Sequence, residues 1–410
     1  MSASFERKLN NYAELLVRKG VNIRPGQRLH LTCPVEAAEL GRRVADAAYR
    51  FGAKLVEVHW VDDAVTLSRF ANAKAETFDE IPTARADAVI KGVARGDALL
   101  AIHAADPSLL KDQNPELVAK VQRMTQEYLQ AYSASVMANK VNWCVASAAI
   151  GAWARQVFPE APAGEQVARL WDAIFAATRA DLDDPIAAWN QHVADLAARR
   201  AYLNERQFDA LRYTGPGTDL TLGLPRNHVW MGGTGLAADG EEFIANLPTE
   251  EVFTLPHRER AEGTVASTRP LSYAGTLIDD FSLTFAGGKV VGLKARDGED
   301  TLRRLVETDE GSARLGEVAL VPHGSPISAS GILFYNTLFD ENASCHVAIG
   351  KAYPKCLDGG TEMSAGDLKA AGANHSLAHV DFMIGSDQLD IDGLSADGQS
   401  TPLMRAGEWA

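Results

Sequence analysis

The chain has 410 residues, 46% hydrophobic and 23% charged, with 40 Lys+Arg against 54 Asp+Glu and a formal net charge of -14. That length exceeds one ordinary core and calls for two or three domains of a soluble globular protein. The acidic balance argues against nucleic acid and anionic membranes as partners, and no stretch approaches the roughly 18 uninterrupted apolar residues of a membrane span.

The first eight residues lack the apolar core of a secretory signal. Phe5, Leu9, Tyr12, Leu15 and Leu16 then recur at helical spacing up to Gly20. Pro25-Gly26 marks a turn, and Arg28-Leu29-His30-Leu31-Thr32 reads as a strand. An Ala-rich helix follows over 35–51, closed by Gly52. Leu55-Val56-Glu57-Val58-His59-Trp60 is the next strand, 83–95 is helical, and Ala98-Leu99-Leu100-Ala101-Ile102-His103 is a third strand. Strands alternating with helices predict an α/β domain with a largely parallel sheet. Thr32-Cys33-Pro34 stands where a dinucleotide fold would place GxGxxG, which argues against a Rossmann cofactor site.

Helix dominates 165–208, with Asp184-Pro185 as a cap-and-start signal. Beyond it the chain turns rich in Gly, Thr and short β-like runs. Thr218 to Leu222 alternates polar and apolar residues, and Leu283 to Val291 reads as a hairpin about Gly287-Gly288. We expect an N-terminal α/β domain over 1–208 and a β-rich α+β catalytic domain over 209–410. Cys33, Cys144, Cys345 and Cys356 form neither a CxxC pair nor a disulfide framework, so a reducing cytoplasm is the expected compartment.

The chemistry is expected in the C-terminal part of the chain, which sets out Glu251, Glu317, Glu341, His346, His379 and Asp381 in order. His379-Val380-Asp381-Phe382-Met383-Ile384 reads as a strand, so His379 and Asp381 share a face. An imidazole and a carboxylate on one face, with further carboxylates to join them, suit a catalytic divalent metal. Taken singly, each residue has an ordinary reading: a lone Glu is usually a surface charge, and a His in an apolar run is usually a hydrogen-bonded core residue. No HExxH fixes a zinc protease. Ser328-Ala329-Ser330-Gly331 is not a nucleophile elbow. Cys345 is expected on the strand face opposite His346, which removes a Cys-His pair. His30, His59 and His103, near predicted strand ends, read as packing or solvent-exposed residues, with a ligand site at those ends as the alternative.

Longer segments carry a resemblance. They are Asn246-Leu247-Pro248-Thr249-Glu250-Glu251-Val252-Phe253-Thr254, Gly316 to Val321, Phe339 to His346 with Ala348, Gly350, Ala352 and Tyr353, and Asn374 to Gly385. Gly407-Glu408-Trp409, Val141-Asn142-Trp143 and Ala152-Trp153-Ala154 add to them. Together they make the whole chain resemble the aminopeptidase T / aminopeptidase S / PepS family of metallopeptidases. The resemblance implies a two-metal aminopeptidase acting on peptides, as a homodimer. Its metal ligands would fall on Glu251, Glu317, His346, His379 and Asp381, with Glu341 as a further ligand, and its catalytic tyrosine on Tyr353. Mixed carboxylate and imidazole ligands suit zinc, cobalt or manganese. The rival readings are another two-metal amidase or dipeptidase, and a non-catalytic metal-containing binding protein.

Overall fold

A computed structural model describes residues 3–104, 106, 109–274 and 276–410. The chain forms two compact units. One holds the residues up to His192 together with Thr234–Pro248, and the other holds Val193–Gly233 and Thr249–Ala410.

The first unit opens with α1 (Ala3–Leu15), which continues as one wider turn to Gly20. Then follow β1 (Arg28–Pro34), α2 (Ala38–Arg50), β2 (Leu55–Val61), α3 (Asp63–Asn72), α4 (Ala84–Arg95) and β3 (Ala98–His103). α5 (Pro115–Tyr128), α6 (Gln130–Met137), β4 (Trp143–Ser147), α7 (Gly151–Val157) and α8 (Gln166–Ala177) come next. The four strands form one parallel sheet in the order β2-β1-β3-β4. Leu29, Leu31 and Cys33 of β1 alternate into the core at 0% exposure, the period of two that a half-covered strand imposes. Caps set the helix starts. The Asp62 carboxylate accepts from the Ala64 and Val65 amides, and Asn114 does so from Glu116 ahead of Pro115.

α9 (Pro185–Arg206) carries the chain out of this unit, its start held by the Ala187 amide donating to Asp184 Oδ1 at 2.9 Å. The division between units falls within this helix, ahead of the expected 208/209 boundary; Leu196 and Leu203 already pack in the second unit's core. β5 (Ala210–Gly215), β6 (Thr218–Gly223) and β7 (Met231–Gly232) follow. The chain then returns to the first unit for the short ribbon β8 (Gly235–Leu236) and β9 (Glu242–Phe243), where Asn246 pairs with Val145.

The rest belongs to the second unit. Its strands are β10 (Val252–Thr254), β11 (Ala261–Ala266), β12 (Leu271–Tyr273), and the hairpin β13 (Thr276–Ala286) and β14 (Lys289–Asp297) about Gly287-Gly288. After α10 (Glu299–Val306) come β15 (Leu315–Leu320), α11 (Pro326–Ala329), α12 (Thr337–Asp340), β16 (His346–Gly350) and α13 (Ala365–Ala370). β17 (His379–Met383), β18 (Asp390–Leu394), β19 (Ser400–Arg405) and β20 (Glu408–Trp409) complete it. One antiparallel sheet runs β12-β13-β11-β6-β5-β18-β19-β20, and a smaller one runs β17-β16-β15-β10-β7. Their apolar faces share one core. Val252, Val318, Leu320, Val347, Ile349 and Phe382 from the smaller sheet meet Leu211, Leu220, Leu222, Phe281, Leu283 and Ile391 from the larger. Phe281 and Phe382 rings lie 5.2 Å apart across it. Each such side chain stabilises the unit by about 1.5–3 kcal/mol on burial. This core leaves the other face of the smaller sheet free for polar residues. All four cysteines are buried free thiols.

Candidate metal centre

Strand register builds the centre. Ala319 pairs with His346 and Glu317 with Ala348. Ala348 in turn pairs with Asp381, and Gly350 with His379. Directly paired residues share a sheet face, so Glu317, His346, His379 and Asp381 stand together, opposite the apolar core. Phe253 pairs with Ala319, and alternation puts Glu251, two residues earlier, on the same face. Small residues fill the positions between: Ala319 and Ala348, both 0% exposed, leave the volume that the ligands enter. Gly350, at φ 105°, lets β16 end against Ala378, whose carbonyl oxygen would sit 2.2 Å from a Cβ there.

The polar atoms converge. His346 Nε2 lies 3.3 Å from Glu251 Oε2 and 3.6 Å from Glu317 Oε1. His379 Nε2 lies 3.7 Å from Glu317 Oε2 and 3.6 Å from Asp381 Oδ1. Glu317 therefore stands between the two imidazoles. Ligand atoms of Glu251, Glu317 and His346 all fall within 4.8 Å of one another. Both histidines present Nε2 because Nδ1 is engaged. The His346 Nδ1–H donates to the Ser344 carbonyl at 3.0 Å, and that of His379 to the Lys351 carbonyl at 2.7 Å. A carbonyl only accepts, so the neutral ring keeps its lone pair on Nε2, as outer partners of metal-bound histidines arrange it.

Three carboxylate oxygens show what is wanted there. Glu251 Oε2, Glu317 Oε2 and Asp381 Oδ1 are buried with no hydrogen-bond donor; the 3.3 Å approach of His346 to Glu251 lacks hydrogen-bond geometry. Among the described residues, no Lys or Arg forms an ion pair with Glu251, Glu317, Glu341 or Asp381. Buried acceptors without donors or counter-charges are costly, and a divalent cation between them removes the cost. The donor set, carboxylate oxygens and imidazole nitrogens, fits such an ion.

The description thermophilic metalloprotease (M29) matches residues 5–409. The chain is 48% identical over 406 residues to Aminopeptidase 2 of Geobacillus stearothermophilus, covering 99% of this chain and 98% of the relative. It is 46% identical over 407 residues to Aminopeptidase AmpS of Bacillus subtilis (strain 168), at 99% of both.

The chain belongs to the M29 metalloprotease family.

The solved structure of wild-type AmpT from Thermus thermophilus superposes with a TM-score of 0.93 at 44% identity, over 99% of this M29 chain and all 100% of that one. The same α/β region with a parallel sheet and the same β-rich region are thus shared.

Electrostatics give this candidate centre its character. Burial, with Asp381 and Glu251 adding to it against the pull of His346, pushes the Glu317 carboxyl up to about 7. Glu341, on the short turn Glu341–Ala343 before β16, has its carboxyl held well above the ordinary range by burial and then by Glu251 and Asp381. Burial works against a charged His346, yet Glu251 and Glu317 outweigh it and raise its pKa. Without a cation the centre therefore holds protons. Tyr353 follows β16 with its ring 4.8 Å from the His379 ring and 6.1 Å from that of Phe253. Burial, then Glu317, Asp381, Glu341 and Glu251, raise its phenol, which stays a donor.

Sequence reading passed over several neighbours. A cavity of about 330 Å³ is lined by Glu341, His379 and Asp381 together with Arg269, Tyr273, Tyr335 and Asp340. Lys355 Nζ sits 5.3 Å from the rings of both Phe253 and Tyr353. No local motif marks these residues. Cys345 does point away from the centre, its Sγ bonded to the Val321 carbonyl at 3.2 Å.

Proposed function

We propose that this chain is a metal-dependent aminopeptidase that releases N-terminal residues from peptides, with its chemistry in 209–410 and the segment just before β10 supplying the first ligand, Glu251. The observation that supports this most is the set of three donor-less buried carboxylate oxygens facing two imidazole Nε2 atoms on one sheet face. In this reading Glu251, Glu317, His346, His379 and Asp381, with Glu341, hold two divalent ions, of which zinc, cobalt and manganese suit the donors. When bound, the ions supply Lewis acidity and an activated water.

The remaining work falls to the chain. Tyr353, protonated and packed against His379, donates a hydrogen bond to the oxygen that becomes negative as the peptide carbonyl turns tetrahedral. The carboxylate group attracts the free α-ammonium of the substrate, which selects the N-terminal residue. The 330 Å³ cavity beside His379 and Asp381 is large enough for an amino-acid side chain. We place the enzyme in the cytoplasm, in keeping with four free thiols, and propose a homodimer, which sedimentation of the full chain would check.

The test is hydrolysis of short peptides, each with a free or an acetylated N-terminus, by chelated protein and by chelated protein given back zinc, cobalt or manganese. Cleavage of the free-amine peptides alone, dependent on metal, is expected. Equal cleavage of acetylated peptides would make this a broader amidase. No cleavage with any metal would make it a binding protein.

A further inference from the structure

Three of the ten histidines lie in the first unit's parallel sheet, and two of them meet. In β1, His30 pairs with Glu57 of β2, while His59 of β2 pairs with Thr32, so His30, Glu57 and His59 share one sheet face. His30 Nδ1 is 3.1 Å from His59 Nε2 and 4.0 Å from Glu57 Oε2, and all three ligand atoms lie within 4.8 Å of one another. Tetrahedral zinc, with bonds of about 2.0–2.1 Å, sets its ligand atoms about 3.3 Å apart; the observed separations bracket that spacing.

The surroundings prepare His30 for the role. Its Nε2–H donates to Asp97 Oδ2 at 3.0 Å, which leaves the lone pair on Nδ1, facing His59 and Glu57. This carboxylate–histidine pair is the outer arrangement that orients ligating imidazoles. It is a built feature. The side chains of His30 and Asp97 are 1% and 5% exposed, and Arg95 holds Asp97 in place at 2.5 Å. α4 carries Gly92 over the pair, where a Cβ would come within 2.5 Å of His30 Nε2. A mid-helix glycine costs about 1 kcal/mol relative to alanine, and here it makes room for the imidazole. Arg28 approaches Glu57 through the other oxygen, Oε1, at 3.8 Å, leaving Oε2 toward His30. Glu57 is 36% exposed, so the fourth position of a tetrahedral ion opens to water.

We propose that His30, Glu57 and His59 form a second metal site of the two-histidine, one-carboxylate type, suited to zinc, with Asp97 as the positioning residue for His30. Two of the ligands come from β2, the edge strand of its sheet, so the ion clips that edge to β1. In binding it replaces the His30–His59 contact, and the proton between the two rings moves to His59 Nδ1 as that ring takes its other tautomer.

Equilibrium dialysis of the full chain against zinc, followed by elemental analysis, tests this. His59→Ala and Glu57→Gln are each expected to hold one equivalent fewer than the wild type. Glu317→Gln/His346→Ala is expected to keep that equivalent and to lose it when His59→Ala is added. Asp97→Asn should weaken its binding by about 10–100-fold. The readout is a difference, so it stands whatever the other centre holds. Equal zinc content in the wild type, His59→Ala and the half-exposed Glu57→Gln would overturn the proposal.

Discussion

Glu317→Gln separates the two states of the centre. Glu317 lies 3.6 Å from His346 Nε2 and 3.7 Å from His379 Nε2, and its carboxyl is pushed from 4.5 to about 7 in the metal-free fold. The folded protein therefore holds this proton more tightly than the unfolded chain does. The stability tied to it is fully present below about pH 4.5 and is lost as pH rises through about 7, a loss of about 3 kcal/mol. Glutamine keeps the shape and removes the titration. Urea unfolding of chelated protein at pH 5 and pH 8 is the assay. The wild type should lose about 2–3 kcal/mol more than Glu317→Gln over that interval. Returning zinc should invert the order, because the wild type regains stability and the variant, with a neutral amide at the middle of the ligand set, does not. Parallel pH profiles for the two chelated proteins would refute the claim that unrelieved burial of Glu317 is what the metal corrects.

Tyr353→Phe keeps the ring contacts with His379 and Phe253 but removes the donor; kcat should fall about 10²–10³-fold with metal content unchanged, and steady-state kinetics with elemental analysis will show it. Ala348→Leu pushes a side chain between Glu317 and Asp381, its cross-strand partners. Bound metal should be lost at a stability cost of about 1–3 kcal/mol, measured by dialysis and urea unfolding. The Asp309 carboxyl is depressed despite its partial burial, because the Leu377 and Ser312 amides and the Ser376 hydroxyl donate to it. Its contribution is present above the ordinary carboxylate pKa and is lost as pH falls through the lowered one. Asp309→Asn should therefore flatten the acid limb of the stability profile, and unchanged acid sensitivity would rule this out.

The strands were legible because one side of each packs on a core. Leu29-x-Leu31-x-Cys33 and Val318-x-Leu320 show the period of two directly. His379-x-Asp381 was legible for the same reason. Convergence was not, since Glu251, Glu317 and His346 meet only through the Phe253–Ala319 and Ala319–His346 pairings, which no local spacing encodes. The groups that orient the imidazoles are the backbone carbonyls of Ser344 and Lys351, to which side-chain identity is blind. Sequence reading also left 104–140 unassigned. The helices there, α5 and α6, bury no residue fully, and of the two only α6 lacks an apolar stripe; α5 was marked by its Asn114-Pro115 start. The return of 234–248 to the first unit rests on Val145 pairing with Asn246, a contact between distant stretches of chain.

Anomalous diffraction from crystals of the zinc-loaded protein, recorded at the zinc edge, tests the central claim most directly. Two peaks about 3.5–4 Å apart, enclosed by Glu251, Glu317, His346, His379 and Asp381, are expected. A map with no peak on that face of the sheet, or with one ion closed off from Tyr353 and the adjoining cavity, would contradict it.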